Sequence, residues 1–441
     1  MDNILHCYGV SKLAFSRLGR PALLLIVSDT FLQGTRYVFV LYLGYASLSL
    51  LGSFLFGAAL GALLAVVVDF GINQHWLRLQ SSDPAFTRSS FIRVLLAKTG
   101  WSVLGMAVII GSAGAGLWSI TPLPAMAAGL FLTTLQGLAE ACEAMFLAHH
   151  RYRLVSLFRS LFGSALYGVP VILGFVLVAR HGDAGIYSAL EGASVAGVAL
   201  FCGYAWYAAG SLPSNPSSAT GYRHACWDAR WLGVNQTAIV VDVRAPLVIL
   251  GIMLGETAVG LYGLVQRTTA IVELAWASLS KLLLKSYAET ASASGGADVR
   301  RRMLAASKMT GLIMVCVTVS AWVITLYLAQ VMELSEETSV ALSLLRWALV
   351  AITLSSLKRP LIAGLLALYQ EQVVSRINIL SAAAGLVLIP LLVLSFGIWG
   401  PVVGWIFLEG AACLLLIRHF LSIPSTPRSN LDGPVPQRAG A

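Results

Sequence analysis

Charge is what this sequence has least of. Only 11% of its 441 residues are Asp, Glu, Lys or Arg, against about a quarter in an average soluble domain. That scarcity excludes a chain solvated on all sides. Strict apolar–polar alternation over strand-length segments is also missing, which excludes a transmembrane barrel. The six cysteines (Cys7, Cys142, Cys202, Cys226, Cys316 and Cys413) form no CxxC pair and no Cys/His cluster. Neither a disulfide framework nor a metal centre is expected, and no cofactor. Arg17 and Arg20 precede a long span that itself carries charges, with no small-residue cleavage motif, so the start does not read as a signal peptide. Long polar segments are lacking too, and no catalytic domain fits outside the apolar spans; an enzyme is not expected.

What is present is apolar sequence. Hydrophobic residues make up 58% of the chain, mean hydropathy is +0.81, and runs of about 20 apolar residues recur. In lipid every backbone polar group must be satisfied within the chain, and a helix does this within one segment. An all-α polytopic membrane protein follows. Twelve helices are predicted, at 21–43, 45–68, 92–118, 122–148, 155–179, 184–210, 230–253, 257–284, 307–329, 338–368, 376–396 and 399–421. They group as an N-terminal six-helix lobe over 1–210, a cytoplasmic linker over 211–229 and a C-terminal six-helix lobe over 230–421. The last segment, 422–441, is rich in Pro, Ser and Gly and is expected to be disordered.

Of the 29 Lys and Arg residues, 22 fall on segments or flanks that an N-in topology places in the cytoplasm. One, Arg180, falls on the other side. Six (Arg36, Arg244, Arg267, Arg346, Lys358 and Arg359) fall inside spans. This asymmetry predicts that both termini are cytoplasmic. The basic residues are dispersed over loops and tails, which argues against nucleic acid as a partner.

The two halves repeat. Leu190-Glu191-Gly192-Ala193 recurs as Leu408-Glu409-Gly410-Ala411, Leu154-Val155-Ser156 matches Val373-Val374-Ser375, and Pro170 matches Pro390. The three offsets are 218, 219 and 220 residues. Each joins helix n to helix n + 6, so two parallel six-helix lobes around a central cavity are expected, with a substrate site between them.

Charges inside spans mark that site. A guanidinium at a helix centre costs roughly 2.5–3.5 kcal/mol, so it faces a cavity, a partner charge or a ligand. Arg36 and Arg244 lie in the opening helices of the two halves. Asp29, Gln33 and Arg36 are spaced four and three apart and share a face of helix 1. On a straight helix 7, Arg244 points about 160° away from Asp242; Pro246 is expected to kink that helix and re-aim it. Arg267 in helix 8 and Lys358-Arg359-Pro360 in helix 10 complete a candidate substrate-binding set of Arg36, Arg244, Arg267, Lys358, Arg359 and Gln33. Structural pairing is the alternative for each, for instance Arg36 with Asp29, and Arg346 is close enough to a helix end to reach the interface. Seven acids also lie in spans: Asp29, Glu140, Glu143, Glu191, Asp242, Glu273 and Glu409. Charge excess therefore does not define an anion site. Gln136, Glu140, Glu143 and His150 form one stripe on helix 4, and Glu140 corresponds to Arg359 in the repeat. Those stripes are expected to face each other across the cavity, with Glu140, Glu143, Asp29 and Asp242 serving ion coupling or charge pairing. Glu191 and Glu409 are expected to brace equivalent helices. Trp101, Trp118, Trp276 and Trp399 read as interface anchors.

Three segments carry a family resemblance. They are Asp69-Phe70-Gly71-Ile72 followed by Arg78; Gly255-Glu256-Thr257-Ala258-Val259-Gly260-Leu261-Tyr262 with Arg267; and Arg376-Ile377-Asn378 through Phe396-Gly397-Ile398-Trp399-Gly400-Pro401. With the twelve-helix topology, the chain resembles the multidrug/oligosaccharidyl-lipid/polysaccharide (MOP) exporter superfamily, on its Wzx-like polysaccharide and O-antigen flippase branch. The resemblance implies a two-lobed fold in a bacterial cytoplasmic membrane. It also implies alternating-access movement of a polyprenyl-pyrophosphate-linked glycan for surface polysaccharide assembly. Implied partners are that glycan, membrane lipids and other polysaccharide-assembly membrane proteins. Arginine suits such a substrate, because its planar fork matches phosphate oxygens and stays charged. A cation-coupled multidrug exporter of the same superfamily is the alternative, which the Glu140/Glu143 face keeps open. A glycan polymerase or ligase would need a substantial outer loop, and the longest here, Gln330–Glu337, is short and acidic.

Overall fold

The computed structural model describes residues 12–78, 88–116, 118, 121–149, 151–181, 184–212, 222–270, 283, 287, 290, 296–331, 335–368 and 370–422. Cys7, His150, Glu273, Trp276, residues 271–282 of the eighth predicted helix, residues 213–221 of the linker, residues 332–334 of the outer loop and residues 423–441 of the tail lie outside them. Among the described residues there is no strand.

The helices run in chain order as α1 (Lys12–Ala46), α2 (Leu48–Asp69), α3 (Arg88–Gly114) and α4 (Leu123–Ala148). Then α5 runs as Tyr152–Gly163, passes through a π-turn at Ser164–Gly168, and continues as Val169–His181. It is followed by α6 (Ala184–Gly210), α7 (Arg230–Leu254) and α8, described over 256–270. The chain ends with α9 (Gly296–Val331), α10 (Glu336–Ala367), α11 (Glu371–Phe396) and α12 (Gly400–Ser422). Among the described residues, ten segments are long and apolar enough to cross a membrane, the last of which, Glu371–Ser422, holds both α11 and α12. The chain is a multi-pass membrane protein of all-α class.

Local chemistry sets the breaks. Ser47 and Ser335 cap α2 and α10 by accepting hydrogen bonds from Leu50 N and Thr338 N. Beyond α2, Phe70 and Gly71 take positive φ of 42° and 77°, a left-handed turn that stops the helix. Two departures from the expected pattern follow from polar helices being possible outside lipid. Ile72–Arg78 and Tyr222–Asp228 are short connector helices where loop and linker were expected. The run Arg300–Arg302 belongs to α9, which starts at Gly296 and not near residue 307.

Helices α1 to α6 pack on one another through α1–α5, α2–α4, α4–α6 and α5–α6; in the second half the contacts run α7–α11, α9–α10, α10–α12 and α11–α12. Lipid tails are as apolar as leucine, so close packing of small residues supplies the contact energy. Gly57 lies against the Met126 carbonyl and Gly129 against the Phe54 carbonyl, which locks α2 to α4 backbone to backbone. The outer surface carries apolar side chains such as Val195, Leu394 and Leu414, 70–74% exposed, as lipid contact requires.

The two helix groups meet along α2. It packs lengthwise on α7 and continues onto the start of α8. A methyl group on Gly52 would fall 1.7 Å from the Glu256 carbonyl oxygen, and one on Gly71 would fall 2.4 Å from the Gly233 nitrogen. Gln74 donates to Gln236 across the same seam at 2.8 Å. Overpacking a tight contact costs roughly 1–3 kcal/mol, and a backbone neighbour yields least. Gly52→Ala is therefore expected to lower the melting temperature of the purified protein in detergent by several degrees, whereas Gly111→Ala, with nothing within 4 Å of the added carbon, is expected to leave it unchanged. Equal melting of the two variants would show that the seam is not tightly packed.

Candidate functional site

A cavity of about 1390 Å³ lies between the two helix groups. Trp231 and Glu371, at the starts of α7 and α11, and His75, on the connector after α2, line its end toward the face where α1 begins and α12 ends. At the opposite face, Gly52 and Leu48 close on Glu256 and Gly260, and Ser49 donates to the Glu256 carboxylate at 3.3 Å.

All six residues of the candidate substrate-binding set, Gln33, Arg36, Arg244, Arg267, Lys358 and Arg359, line this cavity, as does Asp242. Gln33 and Arg36 come from α1 and the others from α7, α8 and α10, so both halves contribute. Arg36, Arg244 and Arg267 lie close enough to repel one another. Among the described residues none of these three has a carboxylate within ion-pairing distance. Arg36 is only 9% exposed, and its guanidinium sits over the Tyr167 ring, 5.5 Å from the centroid. The opposed directions of Asp242 and Arg244 are accommodated because the cavity wraps α7: Asp228, Trp231, Asn235, Ile239, Asp242 and Pro246 form a stripe at helical spacing, and Val243 and Arg244 line the cavity from the rest of the helix circumference.

Pairing separates the remaining charges. Lys358 binds Glu409 at 2.5 Å, a bridge between α10 and α12 with both partners largely buried. Lys358 therefore enters the cavity wall with its charge already compensated. Glu409 is the brace expected of it, but its repeat counterpart Glu191 is exposed on α6, so the two are not equivalent. Asp242 is 3.5 Å from the Ser381 hydroxyl, and Asn378 donates to Asn235 at 3.2 Å, two links between α7 and α11.

The expected opposition of the α4 stripe and Arg359 does not occur. Neither Gln136, Glu140 nor Glu143 lines the cavity, because α4 turns that stripe toward α5. Gln136 accepts from the Tyr167 hydroxyl at 3.2 Å. Arg159 donates to Glu143 at 2.8 Å and to Asp29 at 2.5 Å, joining α5 to α4 and α1. Asp29 thus pairs with Arg159 and not with Arg36, and the helix 1 stripe is split: α5 covers Asp29, while Gln33 and Arg36 face the cavity. Glu140 has no ion pair among the described residues and lies within electrostatic reach of Glu143, Asp69, Arg159 and Arg36. Arg346 folds back on the Leu342 carbonyl and the Ser343 hydroxyl near the start of α10.

Two cations assigned by sequence to cytoplasmic flanks are internal. One is Arg159. The other is Lys98, 2% exposed, held by Asp69 at 2.5 Å, by Asn73 at 2.8 Å and over the Trp76 ring. Counting basic residues toward topology concealed both; unpartnered Asp29 and Glu143 on neighbouring spans were the available signal for Arg159. Trp118, expected at the interface, packs edge-on against Phe56 at 5.6 Å. The polar wall also holds Gln74, Gln266, Gln372 and Arg376, which are uncharged or lie near a helix start and so carry no mid-span charge.

The all-α, multi-pass fold is similar to that of solved MOP superfamily transporters. The solved structures it resembles include the lipid II flippase MurJ in an inward closed conformation, with a TM-score of 0.66 at 11% identity over 90% of this chain and 87% of that one. They also include a MOP superfamily transporter from Pyrococcus furiosus Vc1, with a TM-score of 0.61 at 14% identity over 92% and 94%. A multidrug resistance MATE family transporter in an outward-facing conformation gives 0.60 at 13% identity over 91% and 94%. At these identities the likeness is one of fold. The sequence matches no family model and no curated protein.

Removing one partner of a buried ion pair leaves an uncompensated charge, at a cost on the order of 3 kcal/mol or more, whereas replacing both by apolar groups is often near neutral. Lys358→Met is expected to lower the melting temperature strongly, and Lys358→Met with Glu409→Leu to recover most of the loss. A double variant that melts below Lys358→Met would show that the bridge is not the stabilising element.

Proposed function

We propose that the protein is a flippase that carries a polyprenyl-pyrophosphate-linked oligosaccharide across the bacterial cytoplasmic membrane by alternating access, for surface polysaccharide assembly. One observation carries the reading: three guanidinium groups drawn from both halves, without carboxylate partners among the described residues, meet in a membrane-depth cavity. Uncompensated guanidinium at that depth is expensive, and a pyrophosphate bridging the lobes supplies the missing negative charge through bidentate hydrogen bonds. The amide-rich wall, including Asn235, Asn378, Gln266 and Gln372, supplies donors and acceptors for sugar hydroxyls. The end of the cavity lined by His75, Trp231 and Glu371 lies toward the face whose connections carry most of the Lys and Arg, which the positive-inside rule assigns to the cytoplasm; there the lipid-linked glycan is loaded. A lipid II flippase among the structural neighbours is consistent with a lipid-linked cargo.

The alternative, a cation-coupled multidrug exporter, draws on the MATE transporters among the neighbours. It is the weaker reading, because three of the acids it could use are paired, Asp29 and Glu143 with Arg159 and Glu409 with Lys358, which leaves it Asp242 and Glu140.

Arg36→Ala and Arg244→Ala are expected to abolish surface glycan export in a deletion strain while leaving membrane expression intact, and lysine at either position to restore it only in part. Each guanidinium–phosphate contact is a charge-assisted pair of roughly 1.5–3 kcal/mol, so the loss in transport rate should reach one to two orders of magnitude. Wild-type glycan levels in both alanine variants, scored by gel and immunoblot, would rule out the phosphate role.

A further inference from the structure

Arg36 is held from behind, and the holder is built by an irregularity in α5. This helix docks along α1 at four levels. Arg159 binds Asp29. Gly163 brings the backbone against Leu32 and Thr35. Tyr167 lies under Arg36 and beside Phe39, with ring centroids of the two aromatics 5.8 Å apart. Gly174 admits the Tyr42 ring, whose hydroxyl would lie 2.4 Å from an added methyl.

Arg159, Gly163 and Tyr167 are spaced by four residues. On a regular helix each such step drifts by about 40°, which would carry Tyr167 off the α1 face. The π-turn Ser164–Gly168 sits at the point where that drift must be absorbed. Local sequence favours it. Pro170 lacks the N–H that would bond the Leu166 carbonyl. Ser160 and Ser164 donate to the carbonyls four residues back, at 3.0 and 2.8 Å, which loosens the ladder. Single π-turns inside α-helices are frequent at functional sites. The tyrosine they present is 1% exposed, and its hydroxyl is fixed by Gln136 of α4. Its ring is the contact the structure provides for the Arg36 guanidinium.

We infer that Tyr167 is a positioning residue for the cavity's anion site: the π-turn presents its ring so that the Arg36 guanidinium is held at the cavity wall, aimed at the cargo phosphate. The inference rests on the anion-site reading above. The ring contributes a cation–π contact that favours the charged, extended guanidinium without cancelling its charge, as a carboxylate partner would. Arg36 is thereby kept available for an anion.

The test is a double-mutant cycle on the full-length protein in nanodiscs, with farnesyl pyrophosphate binding followed by calorimetry. Tyr167→Phe keeps the ring and should bind within about twofold of wild type. Tyr167→Met removes the ring and should weaken binding roughly three- to thirtyfold, the range of a desolvated cation–π contact. In an Arg36→Ala background Tyr167→Met should cost nothing further. Should methionine at 167 prevent folding, pentafluorophenylalanine there keeps the ring shape, removes its negative face and should reproduce the loss. Equal losses from the ring variants with and without Arg36, or wild-type binding without the ring, would overturn the positioning role alone. No binding by the wild-type protein, or undiminished binding by Arg36→Ala, would overturn the anion site itself.

Discussion

A charge brought to membrane depth must be answered, and the interior of this protein is arranged around three kinds of answer. Lys98, Arg159 and Lys358 are answered by carboxylates from other helices, and each pair ties one helix to another. Arg36 is answered by an aromatic face. Arg244 and Arg267 are answered, among the described residues, only by the cavity they line. In a low-dielectric surrounding the first kind builds structure, because breaking it strands a charge. The others leave electrostatic potential unspent, available to a ligand.

This division explains how paired charges support the cavity wall. The Arg159 bridge gathers α1, α4 and α5 into one unit, so that the cavity-facing part of α1 is fixed by contacts on its far side. The Lys358–Glu409 bridge does the same for α10 and α12. The glycine contacts along α2 then set the two units against each other at backbone distance, where a sub-ångström shift is felt. A cavity with walls braced in this way keeps its guanidinium groups at set distances and does not collapse around water.

Much of this was legible in the sequence. Apolar runs located the membrane helices, because backbone hydrogen bonding in lipid leaves a single local solution, and α6 was placed residue for residue. Arg36 and Arg244 stood out because a mid-span charge is costly wherever it faces. Direction and pairing were less accessible. The spacing of Asp29, Gln33 and Arg36 defines a face but not what covers each part of it, and α5 covers only the Asp29 end. Arg159 and Lys98 looked like topology signals because depth in the membrane depends on where a helix begins, the least certain quantity in a pattern reading. The π-turn in α5 was not visible at all; Pro170 marked the place, but its effect on Tyr167 depends on the register between two helices.

The three guanidinium groups without carboxylate partners have a consequence for energetics across the membrane. Each unit of charge moved through 100 mV is worth about 2.3 kcal/mol. In the proposed cycle a cavity loaded with a pyrophosphate is close to electroneutral, so its reorientation is nearly blind to the membrane potential. The empty cavity keeps its positive charge, and its return toward a negative cytoplasm is drawn by the field. The resting potential would then act on the unloaded transporter, resetting it to receive cargo, and leave the loaded step to the concentration of lipid-linked glycan.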